Sequence, residues 1–403
     1  MNSHEILQVS PSVKWIGVLD YDIVTFDVVM TTDYGSTYNS YFINAEKKVI
    51  IDTTKETFWE TYEKKIRSVV DPTEIDYIVL NHTEPDHSGN LANLLKIAPN
   101  AKVVASTTGL KYLRDIIDSD FESIAVKNGD MLDLGDKKLK FISAPNLHWP
   151  DTMYTYLEDE KILFTCDSFG CHFADERMFD DEVDDFSVAF RYYFDVIIKP
   201  FSRFMLMALD KIDNLEINAI CTGHGPILRK NLKQMVDLTR FWSEKFVVHP
   251  QKNKVFIPYV SAYRNTGEIA KEIARGIMST GNNEVEMMDI EHTHLGELEM
   301  KLTQSNAVIV GSPTINQNIL LPIYRLFSVV NPYRDHKKLA GAFGSYGWSG
   351  ESRQLLEANL RALKFSYFGE GLFIKFSLSE EEKAKAFEYG LNFATELQKL
   401  NEG

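Results

Sequence analysis

The stretch Asn81–Gly89 places two imidazoles and two carboxylates within six residues, directly after the apolar run Ile75–Leu80. A β-branched run that stops at a loop containing Pro and Gly is typical of a buried strand that ends abruptly. Two carboxylates with no Lys or Arg between them repel each other unless a cation lies close, so the stretch predicts a metal site. Four ligand-type side chains are expected to crowd together at this sheet edge: His82, Glu84, Asp86 and His87.

Three further apolar strands end in the same way, with a His or Asp at an exit that contains Gly or Pro. These exits carry His148, Asp167 and His224. Because strand ends on one side of a sheet face a common cleft, we expect all seven side chains to meet. Seven ligands exceed the about four to six that one ion takes, but they suit two ions with a shared carboxylate. Asp167 stands alone at its strand end and is the candidate bridging ligand.

The composition excludes several classes of protein. The chain has 403 residues, of which 44% are apolar, and its formal net charge is -15. This charge argues against nucleic acid as a partner and against binding to anionic membranes. The N-terminus lacks the layout of a signal peptide, and no apolar run reaches the ~18–20 residues of a membrane span. We therefore expect a cytoplasmic protein.

The three cysteines, Cys166, Cys171 and Cys221, form no C-x-x-C pair. An odd number of thiols in a chain of this length predicts neither a disulfide framework nor a four-thiolate metal site. Each cysteine is expected to be a buried, inert thiol. The metal ligands should therefore be His, Asp and Glu.

The strand pattern changes near residue 250. The first part is an α+β region, with strands predicted at residues 15–19, 41–44 and 48–52 before the metal-site stretch. After a polar joint over residues 249–253, predicted strands alternate with helical segments, which indicates an α/β doubly wound parallel sheet. The predicted domains are residues 1–250 and 251–403. The strands of the second domain are predicted at residues 254–260, 284–290, 306–310, 338–343 and 372–376.

Three loops of the second domain follow strand ends, where a doubly wound sheet binds its ligands. The first loop offers hydroxyl and amide donors at a helix N-terminus, which is a natural phosphate site. The third loop places two aromatic residues among glycines, which can flank a flat ring. Together the loops predict a flavin mononucleotide (FMN) site formed by Ser261, Tyr263, Arg264, Asn265, Thr266, Ser312, Pro313, Thr314, Ile315, Asn316, Ser345, Tyr346, Gly347, Trp348 and Gly350.

The order of the metal-type residues resembles that of the metallo-β-lactamase superfamily, whose fold is a four-layer αββα sandwich with a dinuclear site at one edge. Hydrolases of that superfamily carry His-x-His-x-Asp-His, whereas this chain has Glu84 at the second position. This variant resembles the flavodiiron proteins, and an added carboxylate suits iron because it stabilises the ferric state. The second domain resembles flavodoxin, although Arg264 stands where flavodoxins often have Gly, so a left-handed backbone is harder to reach there. The resemblance covers essentially the whole chain.

The resemblance implies a reductase that passes electrons through FMN to two non-haem irons and reduces dioxygen to water, nitric oxide to nitrous oxide, or both. It implies that His82, Glu84 and His148 bind one iron and that Asp167 bridges. The other iron would be bound by Asp86, His87 and His224. His172 and Tyr193 resemble family residues near the bound gas and are the catalytic candidates.

Because the chain ends at Gly403 without a rubredoxin-like or pyridine-nucleotide module, electrons are expected from an external donor, either a rubredoxin-like protein or a reduced deazaflavin. The resemblance also implies a head-to-tail homodimer, or a dimer of dimers, in which each flavin faces the partner's irons. Two other functions stay open, a di-zinc hydrolase with a flavodoxin-like domain and a non-catalytic flavin redox carrier or gas sensor. Glu84 argues against the hydrolase, and the complete ligand set argues against the carrier.

Overall fold

A computed structural model describes residues 5–26, 30–247 and 251–402 of the chain. The chain divides into two compact units, Met1–Val247 and Val248–Gly403. The predicted joint over residues 249–253 begins outside the described residues, so the domain boundary at residue 250 stays a prediction. Within the described ranges, the helices lack the combination of length and apolar character that crossing a membrane requires.

The first unit consists of short strands and helices. Its strands are β1 (Leu7–Gln8), β2 (Val13–Trp15), β3 (Val18–Asp20), β4 (Thr25–Phe26), β5 (Met30–Thr31), β6 (Ser36–Tyr38), β7 (Tyr41–Ile43), β8 (Lys48–Ile51), β9 (Ile75–Val79), β10 (Lys102–Ser106), β11 (Ser123–Val126), β12 (Met131–Asp133), β13 (Lys138–Ser143), β14 (Met153–Leu157), β15 (Ile162–Cys166) and β16 (Ala219–Thr222). Its helices are α1 (Trp59–Val69), α2 (Pro85–Ser88), α3 (Leu91–Ile97), α4 (Thr107–Ile116), α5 (Ser187–Tyr193), α6 (Ser202–Ile212) and α7 (Leu232–Phe246).

Two sheets form the centre of the first unit, with strand orders β1-β2-β7-β8-β9-β10-β11 and β12-β13-β14-β15-β16. Successive side chains of a strand point to opposite faces, and β8 shows this alternation. Val49 and Ile51 belong to the apolar cluster shared by the two sheets, whereas Ile50 packs in a second cluster with helix residues such as Ile66 and Leu94. Helices thus cover the outer faces of a two-sheet core, and the predicted αββα sandwich is confirmed.

The second unit is an open sheet covered on both faces. Its strands are β17 (Gln251–Tyr259), β18 (Glu284–Asp289), β19 (Ser305–Gly311), β20 (Leu339–Tyr346), β21 (Ser366–Tyr367) and β22 (Leu372–Lys375). Its helices are α8 (Asn265–Met278), α9 (Leu295–Gln304), α10 (Leu321–Ser328), α11 (Pro332–Asp335), α12 (Ser352–Ala362) and α13 (Glu380–Glu402).

The strands of the second unit pair in parallel in the order β18-β17-β19-β20-β21, and β22 also pairs with β20. One apolar cluster lies on each face of this sheet. Because β18 lies on one side of β17 and β19 on the other, the strand order reverses at β17. Folds of this kind bind nucleotides at the carboxyl ends of the two strands where the order reverses, here β17 and β19. The predicted doubly wound, flavodoxin-like sheet is confirmed.

One predicted strand of the first unit is wrong. Residues 15–19 form two strands rather than one, because the chain changes partner at Gly17: β2 pairs with β7 and β3 pairs with β6. A Cβ atom on Gly17 would lie 2.5 Å from the carbonyl oxygen of Tyr38. The absence of a side chain lets the backbone pass close to β6 as it leaves the larger sheet.

Candidate metal centre and flavin pocket

The seven predicted metal ligands lie together at one edge of the sandwich. The loop after β9, in the first sheet, carries four of them, and the loops after β13, β15 and β16, in the second sheet, carry the other three. Both sheets therefore contribute, whereas the strand exits alone suggested the ends of one sheet. Most of the seven side chains are buried, with His82, His87 and His224 at most 1% exposed.

The first group of ligand atoms surrounds one oxygen of Asp167. His82 Nε2 lies 3.1 Å and His148 Nε2 lies 2.9 Å from Glu84 Oε2. Asp167 Oδ2 lies 3.0 Å from His148 Nε2 and 3.4 Å from His82 Nε2. Four side chains thus present ligand atoms to one point.

The second group surrounds the other oxygen of the same carboxylate. Asp167 Oδ1 lies 3.1 Å from His87 Nε2 and 3.5 Å from His224 Nε2. Asp86 Oδ2 lies 3.1 Å from His224 Nε2 and 3.4 Å from His87 Nε2. Asp167 thereby offers one oxygen to each group, which is the arrangement expected of a ligand shared by two ions.

The backbone after β9 explains how Asp86 and His87 reach the same point. Pro85 starts the four-residue helix α2 at a position where its missing N–H costs nothing. The backbone N–H and the hydroxyl of Thr53 both donate to the carbonyl oxygen of His87, each at 2.7 Å. A Cβ on Gly89 would lie 2.4 Å from the Pro85 carbonyl oxygen, so this close turn requires glycine.

The loops of the second sheet adopt rarely populated backbone angles. His148 has φ +43° and Cys166, next to Asp167, has φ +49°, although neither is glycine. The pairing of β15 with β16 also shifts in register between Phe164 and Cys166. Such irregularities redirect side chains and are frequent at functional sites. Here they turn His148 and Asp167 towards the ligands of the first sheet.

Charge coupling dominates the electrostatics of the cluster. Burial alone would lower the pKa values of the histidines, but the neighbouring carboxylates of Asp151 and Glu84 raise the pKa of His82 to about 9, and the charges of Asp86 and Asp167 raise that of His87 to about 10. Burial opposes ionisation of Asp167, yet neighbouring His87 holds its pKa well below the usual value. Without a metal, protons supply the positive charge that the carboxylates require, so a metal ion must displace them.

The donor set fits a pair of first-row metal ions. Asp86 Oδ1 is buried without a hydrogen-bond partner among the described residues, as a ligand atom reserved for a metal would be. Cys166 also lies within reach of His87 and Asp167. Its thiol is a poor ligand because burial and the charge of Asp167 raise its pKa well above the usual value. All three cysteines are buried and free, as predicted.

Tyr193 and His172 lie beside the ligand cluster. Tyr193 Oη donates to Asp167 Oδ1 at 3.1 Å, and α5 passes into a π-helical turn directly after this residue. The His172 ring lies 5.0 Å from the Tyr193 ring and 5.0 Å from the His224 ring, measured between centroids. His172 Nδ1 lies 2.8 Å from Ser36 Oγ. A cavity of about 170 Å³ reaches both residues from the surface.

Three residues near the metal ligands were not predicted from the sequence. Asp151 Oδ1 lies 3.4 Å from His82 Nδ1, Ser36 contacts His172, and the Phe26 ring packs 4.6 Å from the His172 ring. Asp151 follows His148 by three residues in the same Pro-containing exit, so its position was a usable signal. Ser36 and Phe26 come from distant short strands and carry no comparable signal.

The second unit contains a cavity of about 390 Å³ at the carboxyl ends of its strands, a size suited to a small ligand. All three predicted loops contribute to its wall. The predicted residues that line it are Tyr263, Asn265, Pro313, Thr314, Ile315, Asn316, Ser345, Tyr346, Gly347 and Trp348. Gln317, Ser349 and Phe376 also line it and were not predicted.

Five predicted flavin residues do not line this cavity. Ser312 is fully buried and its hydroxyl donates to the Pro313 carbonyl oxygen, while Thr266 shares a 2.8 Å hydrogen bond with Ser345. Ser261 accepts a hydrogen bond from the backbone N–H of Gly267, at the start of α8. The others are Gly350, which lines a neighbouring surface pocket, and Arg264.

Arg264 adopts the left-handed backbone that a non-glycine residue reaches with difficulty. Its φ is +69° and it stands at the N-cap of α8. The side chain makes no capping hydrogen bond. The turn therefore keeps its glycine-type geometry and places a cation beside the N-terminus of the helix, where a phosphate would bind.

Comparison with known proteins supports both halves of this description. The model of the ODP family beta lactamases matches residues 37–225, and the flavodoxin model matches residues 257–390. The solved structure of rubredoxin oxygen:oxidoreductase from Desulfovibrio gigas aligns with a TM-score of 0.66 at 28% identity, covering 99% of this chain and all of that one.

Two curated relatives match along nearly their whole lengths. Flavo-diiron protein FprA2 of Clostridium acetobutylicum is 40% identical over 394 residues, which is 96% of this chain and 98% of the relative. A protein named nitric oxide reductase from Moorella thermoacetica is 32% identical, with the same coverage of both chains. Because this similarity covers nearly the whole chain and both of its units, the chain belongs to the flavodiiron protein family, whose cofactors are FMN and a pair of non-haem irons.

Proposed function

We propose that this protein is a reductase that uses electrons from FMN at a di-iron site to reduce dioxygen to water, nitric oxide to nitrous oxide, or both. The observation that carries the proposal is that Asp167 offers one oxygen to each of two buried ligand groups. Two adjacent metal positions suit a reaction that holds two small molecules, or the two atoms of one, side by side. The names of the relatives from Moorella thermoacetica and Desulfovibrio gigas support these two substrates.

The ligands divide between the two iron positions according to the distances. We assign His82, Glu84 and His148 to the first position, with Asp167 shared. The second position is assigned to Asp86, His87 and His224. When bound, two ferrous ions and a two-electron flavin supply the four electrons that reduction of dioxygen to water requires.

Glu84 favours iron over zinc at the first position. The side chain lies within 3.1 Å of both His82 and His148 and is largely buried. Its carboxylate adds negative charge where hydrolases of the metallo-β-lactamase superfamily have a neutral imidazole. Additional charge stabilises a trivalent ion more than a divalent one, so the position suits a metal that changes oxidation state.

Tyr193 and His172 are proposed to orient the gas or its product. Burial and the charge of Asp167 raise the pKa of Tyr193 well above its usual value, so Oη keeps its proton and remains a donor. His172 Nε2 is buried and has no hydrogen-bond partner among the described residues. Both side chains line the same cavity, where His172 Nε2 can donate to a small polar ligand and Tyr193 Oη can do so in place of its hydrogen bond to Asp167 Oδ1.

The role of His172 is tested by a His172→Ala variant assayed with each gas. Turnover should fall while the iron content stays at the level of the unmodified protein. The matched control is His292→Ala, which removes an exposed imidazole of the second unit and should leave both quantities unchanged. Equal rates for His172→Ala and the unmodified protein with both gases would remove His172 from the mechanism.

Exposed apolar side chains surround both cofactor sites. On the first unit, Tyr34 and Val188 line the cavity beside His172, and on the second unit, Tyr263 and Trp348 line the flavin cavity. Trp348 is 90% exposed. Exposed apolar patches of this kind mark surfaces that a partner covers. We propose a head-to-tail homodimer, or a dimer of dimers, which a fully active monomer measured by light scattering would contradict.

The electron donor is proposed to be a rubredoxin-like protein or a reduced deazaflavin. The name of the relative from Desulfovibrio gigas supports the first of these donors. Steady-state gas consumption with each reduced donor in turn measures the preference. A chain that accepts electrons from neither donor would contradict this part of the proposal. The location in the cytoplasm stays a prediction.

The decisive experiment combines cofactor stoichiometry with stopped-flow kinetics. The purified protein should contain two irons and one FMN per chain, and the reduced flavin should reoxidise rapidly when dioxygen or nitric oxide is added anaerobically. The faster gas indicates the substrate. Two zinc ions after iron-replete expression, with a flavin that ignores both gases, would instead support a di-zinc hydrolase, and iron with an unreactive flavin would support a redox carrier.

A further inference from the structure

His82 and Asp151 each have a buried polar atom that faces the other without forming a hydrogen bond. Neither His82 Nδ1 nor Asp151 Oδ1 has a hydrogen-bond partner among the described residues, yet the two atoms lie 3.4 Å apart. The His82 side chain is 0% exposed and that of Asp151 is 1% exposed. Water therefore does not reach either atom, and each atom is the natural partner of the other. A movement of about 0.3 Å brings them to ordinary hydrogen-bond distance.

The carboxylate of Asp151 is fixed independently of His82. Its second oxygen, Oδ2, accepts from the backbone N–H of Thr83 at 2.8 Å and from the Thr83 hydroxyl at 2.7 Å. The backbone carbonyl of Asp151 accepts from Ser106 Oγ at 2.8 Å. These bonds hold Oδ1 in place against the imidazole, so the pair does not depend on a movable surface side chain.

We propose that Asp151 is a positioning residue for the first metal position, because its carboxylate keeps the proton of His82 on Nδ1 and leaves Nε2 free to bind the metal. Nε2 is the nitrogen that faces Glu84 and Asp167. An imidazole that donates from one nitrogen to a carboxylate is also a more basic ligand through the other. This inference rests on the proposed assignment of His82 as a ligand.

Among the residues that the structure describes, no carboxylate makes an equivalent contact at the second metal position. His224 Nδ1 lies 2.5 Å from the backbone carbonyl oxygen of Thr37, which fixes the same tautomer without a full charge. His87 Nδ1 has no hydrogen-bond partner among the described residues. The nearby carboxylate of Asp52 uses both oxygens to accept from Asn81. Loss of Asp151 should therefore weaken one metal position and spare the other.

Asp151→Asn is the sharpest variant because Thr83 dictates how the new amide is oriented. The two donors of Thr83 attract the amide oxygen, so the NH₂ group turns towards His82 Nδ1 and forces the proton onto Nε2. Asp184→Asn is the matched control, since it makes the same change at a carboxylate whose side chain is 84% exposed. It should bind metal nearly as the unmodified protein does.

The test uses the protein with both of its units, loaded with Zn²⁺, so that its result does not depend on reductase activity. Chelator-competed Zn²⁺ titration should give two dissociation constants, of which Asp151→Asn weakens one by about 10–100-fold. The other constant should stay within about twofold. Equal weakening of both constants, or no weakening, would overturn the proposal. A protein that binds Zn²⁺ in this way but lacks iron and gas turnover would contradict the proposed function alone.

A second measurement needs no variant and covers the case in which Asp151→Asn does not fold. The ¹⁵N chemical shifts of His82 in the histidine-labelled, zinc-loaded protein report which ring nitrogen carries the proton. A protonated Nδ1 is expected. An unprotonated Nδ1 would refute the role of Asp151 whatever the binding constants show.

Discussion

Gly223→Ala tests how closely the ligand loops are packed. The backbone of Gly223 has no positive φ, so alanine is allowed by its local geometry. A Cβ atom there would nevertheless lie 2.8 Å from His87 Cε1 and 3.0 Å from the carbonyl carbon of Cys166. An ordinary contact is at least 3.4 Å, so the imidazole or the backbone has to move by about 0.6 Å.

Neither His87 nor the backbone of Cys166 can move easily to make room for a Cβ atom on Gly223. His87 is fully buried and its carbonyl oxygen accepts from both donors of Thr53, while the Gly223 N–H donates to the Cys166 carbonyl oxygen at 2.6 Å. Metal–ligand distances tolerate deviations of only about 0.2 Å, so the required shift is about three times that tolerance. Overpacking of this kind also costs about 1–3 kcal/mol of folding free energy.

The expected result for Gly223→Ala is a protein that folds but retains about one iron per chain instead of two, because the position assigned to Asp86, His87 and His224 is lost. Metal analysis and denaturant unfolding measure the two effects. Gly296→Ala is the matched control: apart from its chain neighbours and the backbone of its own helix, no described atom lies within 4 Å of its Cβ, and a helical Gly to Ala change should raise the free energy of unfolding by about 0.5–1 kcal/mol. Retention of two irons by Gly223→Ala would refute the packing argument.

Two further predictions concern the backbone of the flavin loop and the protonation of the empty metal site. Arg264→Gly should raise the free energy of unfolding of the flavin-free protein by about 1 kcal/mol, because it relieves a left-handed residue, whereas Arg264→Gln should not, as denaturant titration will show. In the metal-free protein the pKa values of His82 and His87 are raised to about 9 and about 10, above the ~6.5 of an unfolded chain. Stability from these groups is complete below pH ~6.5 and is lost as the pH rises through 9–10, so the thermal midpoint of the metal-free protein should fall over this range while that of the iron-loaded protein stays level.

The sequence predicts strands where a β-branched run has clear limits. The strands at Lys102–Ser106, Lys138–Ser143 and Ile162–Cys166 begin and end where the apolar pattern does. The pattern does not reveal which strands share a sheet, because pairing depends on distant partners. The strand exits that carry the proposed ligands therefore predict the edge of one sheet, although they belong to two. Residues 15–19 predict a single strand, which the close approach of Gly17 to Tyr38 divides into two.

The sites show the same division between what residue type reveals and what only geometry reveals. Seven metal-type side chains could be selected because His, Asp and Glu at strand exits are chemically distinctive. The residues beside them could not be selected in this way, since Ser36 and Phe26 are common residue types whose role depends on their position in the fold. In the flavin loops, hydroxyl residues were the signal, but a hydroxyl such as that of Ser312 turns inwards to satisfy its own backbone.

The two metal ions that are proposed to share Asp167 would stabilise the fold as well as take part in the reaction. The proposed ligands come from loops of two different sheets, spread along the chain from His82 to His224, so ions bound by them would connect segments that lie far apart in the sequence. Cross-links of this reach restrict an unfolded chain strongly. We therefore expect that, after loss of the metal, the sandwich unfolds first at the edge that carries these loops and only later at the opposite edge.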